Sequence, residues 1–217
     1  MTTPSTSQPA VELVVKTIAQ TCVDNETYFG ELDAVVGDGD FGYSLARGFE
    51  KVLEQWDDID RKDPGTFLKR TGMIVSSRIG GTSGPIWGTA FLRAGTTAGS
   101  DAQLTGEHAV AMLRAAAEGI KARGNSDLGD KTLLDSLIPM TDRIDAELKA
   151  GHSPADVIAA AAETARRSAD ETKELVAKRG RASYTGERSK GSVDAGAMAV
   201  AVLADAIAKA WKDNPPA

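Results

Sequence analysis

The stretch LDAVVGDGDFG, residues 32–42, decides between two fold classes. Its three glycines have the G-x-G-x-x-G spacing of a dinucleotide-binding loop, and the apolar residues before them could form the strand that such a loop follows. Two carboxylates, Asp38 and Asp40, stand inside the loop. Because carboxylates repel a pyrophosphate, either no phosphate binds here or a cation lies between the carboxylates and the phosphate.

The rest of the chain has the apolar pattern of helices. Apolar residues recur at intervals of three and four, as in the segment 11–22, and the alternation typical of strands is hard to find. Ser153 and Pro154 mark a helix start, and Gly180 follows a basic last turn. The pattern predicts about eight helices, near residues 10–28, 41–56, 64–79, 84–98, 105–123, 130–150, 154–179 and 194–212. A dinucleotide-binding fold would then lack its sheet, which makes the glycine spacing a coincidental match.

Length and composition indicate one domain. The 217 residues suit a single core, which we expect to span residues 10–213 after a flexible tail of residues 1–9. A net charge of -6, without a basic run, disfavours a nucleic-acid partner. No apolar run approaches a membrane span and the start lacks a signal-peptide pattern, so we expect a cytoplasmic protein without a membrane partner. The single cysteine excludes an internal disulfide framework and a cysteine-based zinc site.

Three aspartates, Asp33, Asp38 and Asp40, lie within eight residues. Carboxylate oxygens are the ligands that hard divalent cations prefer, and magnesium usually takes a few of them while a substrate phosphate completes its shell. A bound cation would remove the repulsion described above. By itself the segment is equally compatible with an acidic turn that ends in a helix N-cap. A calcium-binding EF-hand loop is excluded because Gly42 and Phe49 occupy positions that require ligands.

Three further loops precede predicted helices. IGGTSGPIWG, residues 79–88, offers amides and hydroxyls that suit an anion, although such a segment is often only a turn. GNSDLGDKT, residues 124–132, differs from a P-loop because Asp130 precedes Lys131 and because a helix comes before it. We interpret it as a helix start capped by Asp130. RGRASYTGERSKGSVDAGA, residues 179–197, concentrates basic residues in an acidic protein and is either a lid over a nucleotide or a solvated linker.

The sequence offers no obvious general base. Its two histidines, His108 and His152, lie away from every glycine-rich loop. Phosphoryl transfer can rely on positioning and charge neutralisation if another group activates the acceptor. We therefore expect no catalytic residue on this chain.

Four motifs, taken together and in this order, resemble the nucleotide-binding L subunit of dihydroxyacetone kinases. They are ELDAVVGDGDFG (31–42), IGGTSGPIWGTAFLRAG (79–95), GNSDLGDKTLLDSLIPM (124–140) and GRASYTGERSKGSVDAGAM (180–198). The resemblance covers nearly the whole chain, from about the first helix to the last. It implies an all-α barrel of about eight antiparallel, up-down helices with the nucleotide site at one end, which agrees with the helix count.

The resemblance also implies a set of site residues. Two magnesium ions would lie between the nucleotide phosphates and Asp33, Asp38 and Asp40. The nucleotide contacts map to Phe41, Gly42, Tyr43, Ser44, Thr82, Ser83, Gly124, Leu133, Arg179, Asp194, Ala195 and Gly196. Phe41 replaces a histidine that members coupled to the phosphoenolpyruvate phosphotransferase system usually carry, and Ala195 replaces a frequent proline. These departures leave open whether ATP is exchanged in each turnover or a bound ADP is rephosphorylated.

The implied function is that of a phosphotransferase with an alcohol group as acceptor, of the glycerone kinase type. The chain would present the phosphoryl group of a magnesium-bound nucleotide to a hydroxyl of dihydroxyacetone or a related short ketose. A separate K subunit would hold the ketose and supply the activating histidine. One alternative is a permanent ADP coenzyme, rephosphorylated by an M subunit of the phosphotransferase system. Another is a nucleotide-dependent regulatory binding module, and a homodimer also remains open.

Overall fold

A computed structural model describes residues 6–216, and within that range it contains helices and turns but no strand. The α-helices are α1 (Gln8–Asp24), α2 (Glu26–Ala34), α3 (Phe41–Glu54), α4 (Pro64–Arg78), α5 (Ser83–Ala98), α6 (Gly106–Gly124), α7 (Leu134–Lys149), α8 (Pro154–Glu171) and α9 (Ala195–Asp213). Short 3-10 segments span Trp56–Asp58, Thr172–Glu174 and Arg181–Ser189. The all-α class predicted from the sequence is confirmed, and no sheet supports a dinucleotide fold in the described chain.

Eight of these helices form a closed ring of neighbours. From α3 to α9 each helix packs against the next one along the chain, α9 packs against α1, and α1 packs against α3. The short α2 packs mainly on α3. Because helices that follow one another are also neighbours in space, the chain runs up and down around a common core. The closed order of contacts is consistent with the barrel that the resemblance implies.

Three helix boundaries differ from the sequence-based expectation. The first predicted helix, 10–28, is divided at Asn25, which separates α1 from α2. The helix predicted from residue 130 begins at Leu134, because residues 129–132 form a turn around the carboxylate of Asp135. The helix predicted to reach residue 179 ends at Glu171 and continues as a 3-10 turn.

The start of α1 overlaps the tail expected for residues 1–9. The helix begins at Gln8, and the amide of Ser7 donates to the carbonyl of Ala102 at 2.9 Å. Residues 1–5 of the expected tail lie outside the described residues.

The ring encloses an aliphatic and aromatic core. Phe49 contacts Trp87 and Phe91 with ring centroids 6.4 and 6.0 Å apart, in edge-on arrangements. Cys22 is fully buried in the same core, and burial raises the pKa of its thiol. None of the helices in the described range is both long enough and apolar enough to cross a membrane.

Glycines set the closest approaches between helices. A β-carbon at Gly72 of α4 would lie 2.9 Å from the carbonyl oxygen of Gly88 in α5. A β-carbon at Gly42, in the first turn of α3, would overlap the carbonyl of Glu26 and lie 2.5 Å from the amide nitrogen of Gly30 in α2. The first turn of α3 is therefore held against α2 more closely than any larger residue allows.

The N-terminus of α9 carries a carboxyl group with an unusual pKa. Asp194 caps the helix by accepting a hydrogen bond from the amide of Ala197 at 2.7 Å, and its own amide donates to the hydroxyl of Thr172 at 2.8 Å. Burial, with a contribution from nearby Asp135, raises the pKa of Asp194 to about 7, although the Ala197 amide and Lys131 act in the opposite direction. Between about pH 4 and pH 7, the folded protein therefore keeps a proton on the Asp194 carboxyl group that the unfolded chain has already lost.

This pKa predicts a pH-dependent effect of Asp194→Asn. The unfolded carboxyl ionises near 3.8 and the folded one near 7, so the wild type loses stability relative to the variant as pH rises through this window. Between pH 4 and neutral pH we expect the variant to gain about 3 kcal/mol of stability relative to the wild type, since one pKa unit corresponds to about 1.4 kcal/mol. Urea titrations of both proteins from pH 4 to pH 8 would measure the difference. Asp194→Ser, which keeps a capping oxygen, should show the same trend, whereas a difference independent of pH would contradict it.

Candidate functional site

The three predicted metal ligands come together where α2 ends and α3 begins. Asp33 lies in the last turn of α2, Asp38 in the connection, and Asp40 at the N-cap of α3. Each offers one carboxylate oxygen, and these oxygens all lie within 4.8 Å of one another. Asp33 is fixed by the amide of Gly39, which donates to its Oδ2 at 2.9 Å from a left-handed backbone with φ +76°. We call Asp33, Asp38 and Asp40 the aspartate cluster.

The chemistry of the aspartate cluster fits divalent cations. Carboxylate oxygens on opposite sides of one magnesium ion lie about 4 Å apart, so small side-chain adjustments would let the cluster hold one ion or two. Without a cation, three carboxylates this close repel one another. Within residues 6–216 no other group of three acidic, histidine or cysteine side chains comes together in this way.

A guanidinium group lies against the aspartate cluster. Arg181 forms an ion pair with Asp38 and lies 3.3 Å from Asp40, measured from Nη1 to Oδ2. It begins the 3-10 segment Arg181–Ser189, within the polar connection for which the sequence left a lid and a linker open. We call residues 175–192 the lid. The lid thus brings a positive charge to three negative ones.

The structure places Arg179 and Arg181 differently. The resemblance implies a nucleotide contact at Arg179, whereas Arg181 is only one of the basic residues of the loop in the sequence. Arg179 Nη2 instead lies 3.3 Å from Asp130 Oδ2, beside the start of α7. Arg181 is the arginine that reaches the aspartate cluster, through a contact that spans 141 residues of sequence.

The first turn of α3 offers backbone amides beside the aspartate cluster. Residues 41–44, predicted to contact phosphates, form this turn. The amides of residues 41–43 have no partner within the helix, whereas that of Ser44 donates to the carbonyl of Asp40 at 2.9 Å. Gly42 is buried against α2, whereas Tyr43 is exposed. Phe41 packs against the core, with its ring 6.1 Å from that of Phe29. This packing explains the apolar residue in the glycine loop, because the side chain points inward and leaves only its backbone for an anion.

The second predicted loop ends close to that turn. Thr82 is the N-cap of α5 and Ser83 its first residue. A β-carbon at Gly80 would lie 3.9 Å from Ser44 Oγ, so this loop adjoins the first turn of α3. Two helix N-termini therefore lie side by side, and the positive ends of both dipoles favour an anion near the aspartate cluster.

The remaining predicted contacts form a second group at the same end of the ring. Gly124 ends α6, and Leu133 immediately precedes α7. A β-carbon at Gly196 would lie 3.3 Å from the Leu133 β-carbon, so the segment 194–196 at the start of α9 packs against Leu133. The lid contacts both groups, through Arg181 on one side and Arg179 on the other.

The buried position of Lys131 was not predicted from the sequence. Its ammonium group is buried and donates hydrogen bonds to carbonyl oxygens of Leu175, Ser189 and Ser192. Burial lowers the pKa of Lys131, although nearby Asp194 acts in the opposite direction. No sequence signal marks this role, because a lysine in a polar, glycine-rich loop is usually solvated.

Comparisons with known proteins give the family of this chain. Residues 35–209 match the family model described as the DAK2 domain. The chain is 39% identical over 186 residues to the ADP-binding subunit of the PEP-dependent dihydroxyacetone kinase of Escherichia coli (strain K12), covering 86% of this chain and 89% of that one. It is 35% identical over 185 residues to the L-erythrulose kinase of Pectobacterium atrosepticum, covering 84% of this chain but 31% of that protein.

A solved structure shares the fold. The chain matches the crystal structure of the dihydroxyacetone kinase from C. freundii in complex with AMP-PNP and Mg2+ with a TM-score of 0.71 and 26% identity. The match covers 93% of this chain and 34% of that one, so this chain corresponds to about a third of the longer kinases. Together with the family model, which spans most of the chain, these likenesses show that the protein belongs to the DAK2 domain family, that of the dihydroxyacetone kinase L subunits.

Proposed function

We propose that this chain is the nucleotide-binding subunit of a kinase that phosphorylates dihydroxyacetone or a related short ketose. The observation that carries the proposal is the meeting of the aspartate cluster with two helix N-termini. Carboxylates alone suit a cation and helix amides alone suit an anion, so their combination suits a magnesium-bound phosphate chain. The relatives support a nucleotide, because one is named an ADP-binding subunit and the C. freundii kinase was solved with AMP-PNP and Mg2+.

The residues at the two helix starts would hold the phosphates. The amides of Phe41, Gly42 and Tyr43, the hydroxyl of Ser44 and the loop at Thr82 and Ser83 would bind phosphate oxygens, and Arg181 would approach them from the lid. Asp33, Asp38 and Asp40 would hold two magnesium ions, which neutralise phosphate charge when bound. Because Arg181 pairs with two of these carboxylates, it must shift toward the phosphates when the metal enters.

The second group of residues would hold the rest of the nucleotide. We assign contacts around the base and ribose to Gly124, Leu133, Arg179 and the start of α9 at residues 194–196. Arg179 pairs with Asp130 and would have to leave it to reach a nucleotide. Arg181 is already at the phosphate end, so it is the stronger candidate for a charged contact to the phosphates.

Acceptor activation is assigned to a partner. His108 belongs to the capping box that starts α6, and His152 contacts Glu147 after α7. Both lie at the end of the ring opposite the aspartate cluster. The site itself therefore offers carboxylates, amides and arginines but no histidine, which supports a K subunit that holds the ketose and supplies the base.

Exposed apolar side chains support a protein partner at the site. Among the described residues, the exposed large apolar side chains are Tyr28, Val35, Tyr43, Met73, Leu128 and Tyr184. Five of these six lie in α2 and its connection to α3, in the first turn of α3, in the connection from α6 to α7, or in the lid. The most exposed is Tyr184 of the lid, at 89%. Apolar groups around a polar site favour a partner that covers it, as the proposed K subunit would.

A retained ADP coenzyme is the second candidate. It is favoured by the Escherichia coli relative reported above and by one from Listeria innocua, 36% identical over 180 residues, because both are named as ADP-binding subunits of PEP-dependent kinases. In that form the chain would also receive a phosphoryl group from an M subunit of the phosphotransferase system.

Removing one ligand tests the metal assignment. Asp38→Asn keeps the size of the side chain but removes its negative charge, so we expect magnesium-ADP binding to weaken about tenfold or more. Calorimetric titration of the folded variant would measure the affinity. Asp57→Asn, in the 3-10 segment after α3, serves as the matched control and should bind like the wild type. Equal affinities for Asp38→Asn and the wild type would refute the assignment.

Nucleotide retention separates the two forms of the proposal. The coenzyme form predicts that ADP stays bound through extensive dialysis and that turnover with a K subunit requires phosphoenolpyruvate and the phosphotransferase proteins. Mass analysis of the nucleotide and a coupled assay for ketose phosphate would measure both. Turnover with ATP alone would reject the coenzyme form and keep the kinase.

A further inference from the structure

The two ends of the lid lie close together where it leaves and rejoins the helical ring, at residues 173–177 and 189–192. We call this place the neck of the lid. The amide of Gly191 donates to the carbonyl of Lys173 at 2.9 Å. The amide of Ala177 donates to Ser189 Oγ, also at 2.9 Å. The two arms of the lid therefore run side by side, as the ends of an Ω-loop do.

The ammonium group of Lys131 lies between the two arms. It has three N–H donors and uses them on the carbonyl oxygens of Leu175 at 3.2 Å, of Ser192 at 2.8 Å and of Ser189. The residue is 2% exposed, so these carbonyls replace the water that a surface lysine would keep. Leu175 belongs to the outgoing arm and the two serines to the returning one. A single side chain thus joins both arms.

The turn that carries Lys131 directs its side chain toward the neck. Lys131 has a left-handed backbone with φ +62°, which is unfavourable for a residue with a β-carbon. The carboxylate of Asp135 holds the turn by accepting the amides of Gly129 at 2.5 Å and Thr132 at 2.7 Å. The neighbouring Asp130 binds the exposed basic side chains of the lid. The turn before α7 is therefore the base on which the lid rests.

We propose that Lys131 is a positioning residue for the nucleotide site. By joining the two arms of the lid, it sets where Arg181 stands relative to Asp38 and Asp40. Arg181 lies between Leu175 and Ser189 in the sequence, so a shift of either arm moves its guanidinium group. This inference rests on the proposed function, because positioning matters only if Arg181 serves a bound nucleotide.

A purely structural role makes a different prediction. A lysine that only stabilised the fold would, when replaced, lower the stability of the whole protein without a selective effect on the lid. It would also act independently of Arg181. Two measurements separate these roles, one without nucleotide and one with magnesium-ADP.

Hydrogen exchange without nucleotide tests the neck. Lys131→Met removes the three donors and keeps an unbranched side chain of similar length. We expect faster exchange at amides of residues 176–191, with exchange in α3–α6 unchanged. Lys190→Met is the matched control, because Lys190 is an exposed lid lysine paired with Glu187 and not with the neck. Lid exchange equal to that of the wild type would overturn the proposal.

A double-mutant cycle on magnesium-ADP affinity tests the action through Arg181. We expect Lys131→Met to weaken binding about tenfold, and to cause little further loss when Arg181→Met is already present. Independent, additive losses would overturn the positioning role. If the wild type does not bind magnesium-ADP, the proposed function fails, and with it the positioning role, while the exchange result still decides whether Lys131 holds the lid.

A second variant keeps the test decisive if Lys131→Met does not fold. Lys131→Gly removes the same three donors, and glycine suits the left-handed backbone at this position. We expect the same selective increase in lid exchange and the same dependence on Arg181. A Lys131→Gly protein with wild-type exchange and affinity would overturn the proposal.

Discussion

The mutual repulsion of three carboxylates is the constraint on which the site depends. The carboxylate oxygens of Asp33, Asp38 and Asp40 lie within 4.8 Å of one another, and nearby positive charge reduces the repulsion between them. Positive charge reaches the aspartate cluster from two sources. Arg181 reaches the cluster from the lid, and two helix N-termini near the cluster provide amides and dipoles. A magnesium nucleotide brings both a cation for the carboxylates and an anion for the amides, so it satisfies both halves of the site together.

Close packing at glycines turns this electrostatic arrangement into a defined geometry. Because Gly42 has no side chain, the first turn of α3 lies directly on α2, and the carboxylate at the end of one helix faces the N-cap of the other. The missing side chains of Gly72 and Gly88 allow the same close approach between α4 and α5. The glycines of the loop thus serve the packing of helices as much as the approach of a ligand.

The features that could be predicted are those that depend on residues close together in the sequence. Helix periodicity, the helix start at Ser153 and the aspartate cluster all follow from short segments, and the structure contains the helices and brings the cluster together. Lys131 and Arg181 could not be placed in this way, since their partners lie 44 to 61 and 141 residues away. The break at Asn25 was missed because the apolar pattern continues across it. The resemblance supplied what local patterns lack, and the nucleotide contact that it implies at Arg179 stays a prediction.

The long sequence separation of these contacts also determines when the site forms during folding. Joining Lys131 to the lid requires α7, α8 and the start of α9 to be in place, and joining Arg181 to Asp40 requires the two ends of the helical ring to have met. Contacts between residues this far apart in the sequence form after the local helices. The reason is that closing the long loop costs conformational entropy before the contact adds any stability. The site is therefore completed late, after the core that supports it. If the chain functions as proposed, a newly made copy would bind a nucleotide only after the lid and the start of α3 have come together.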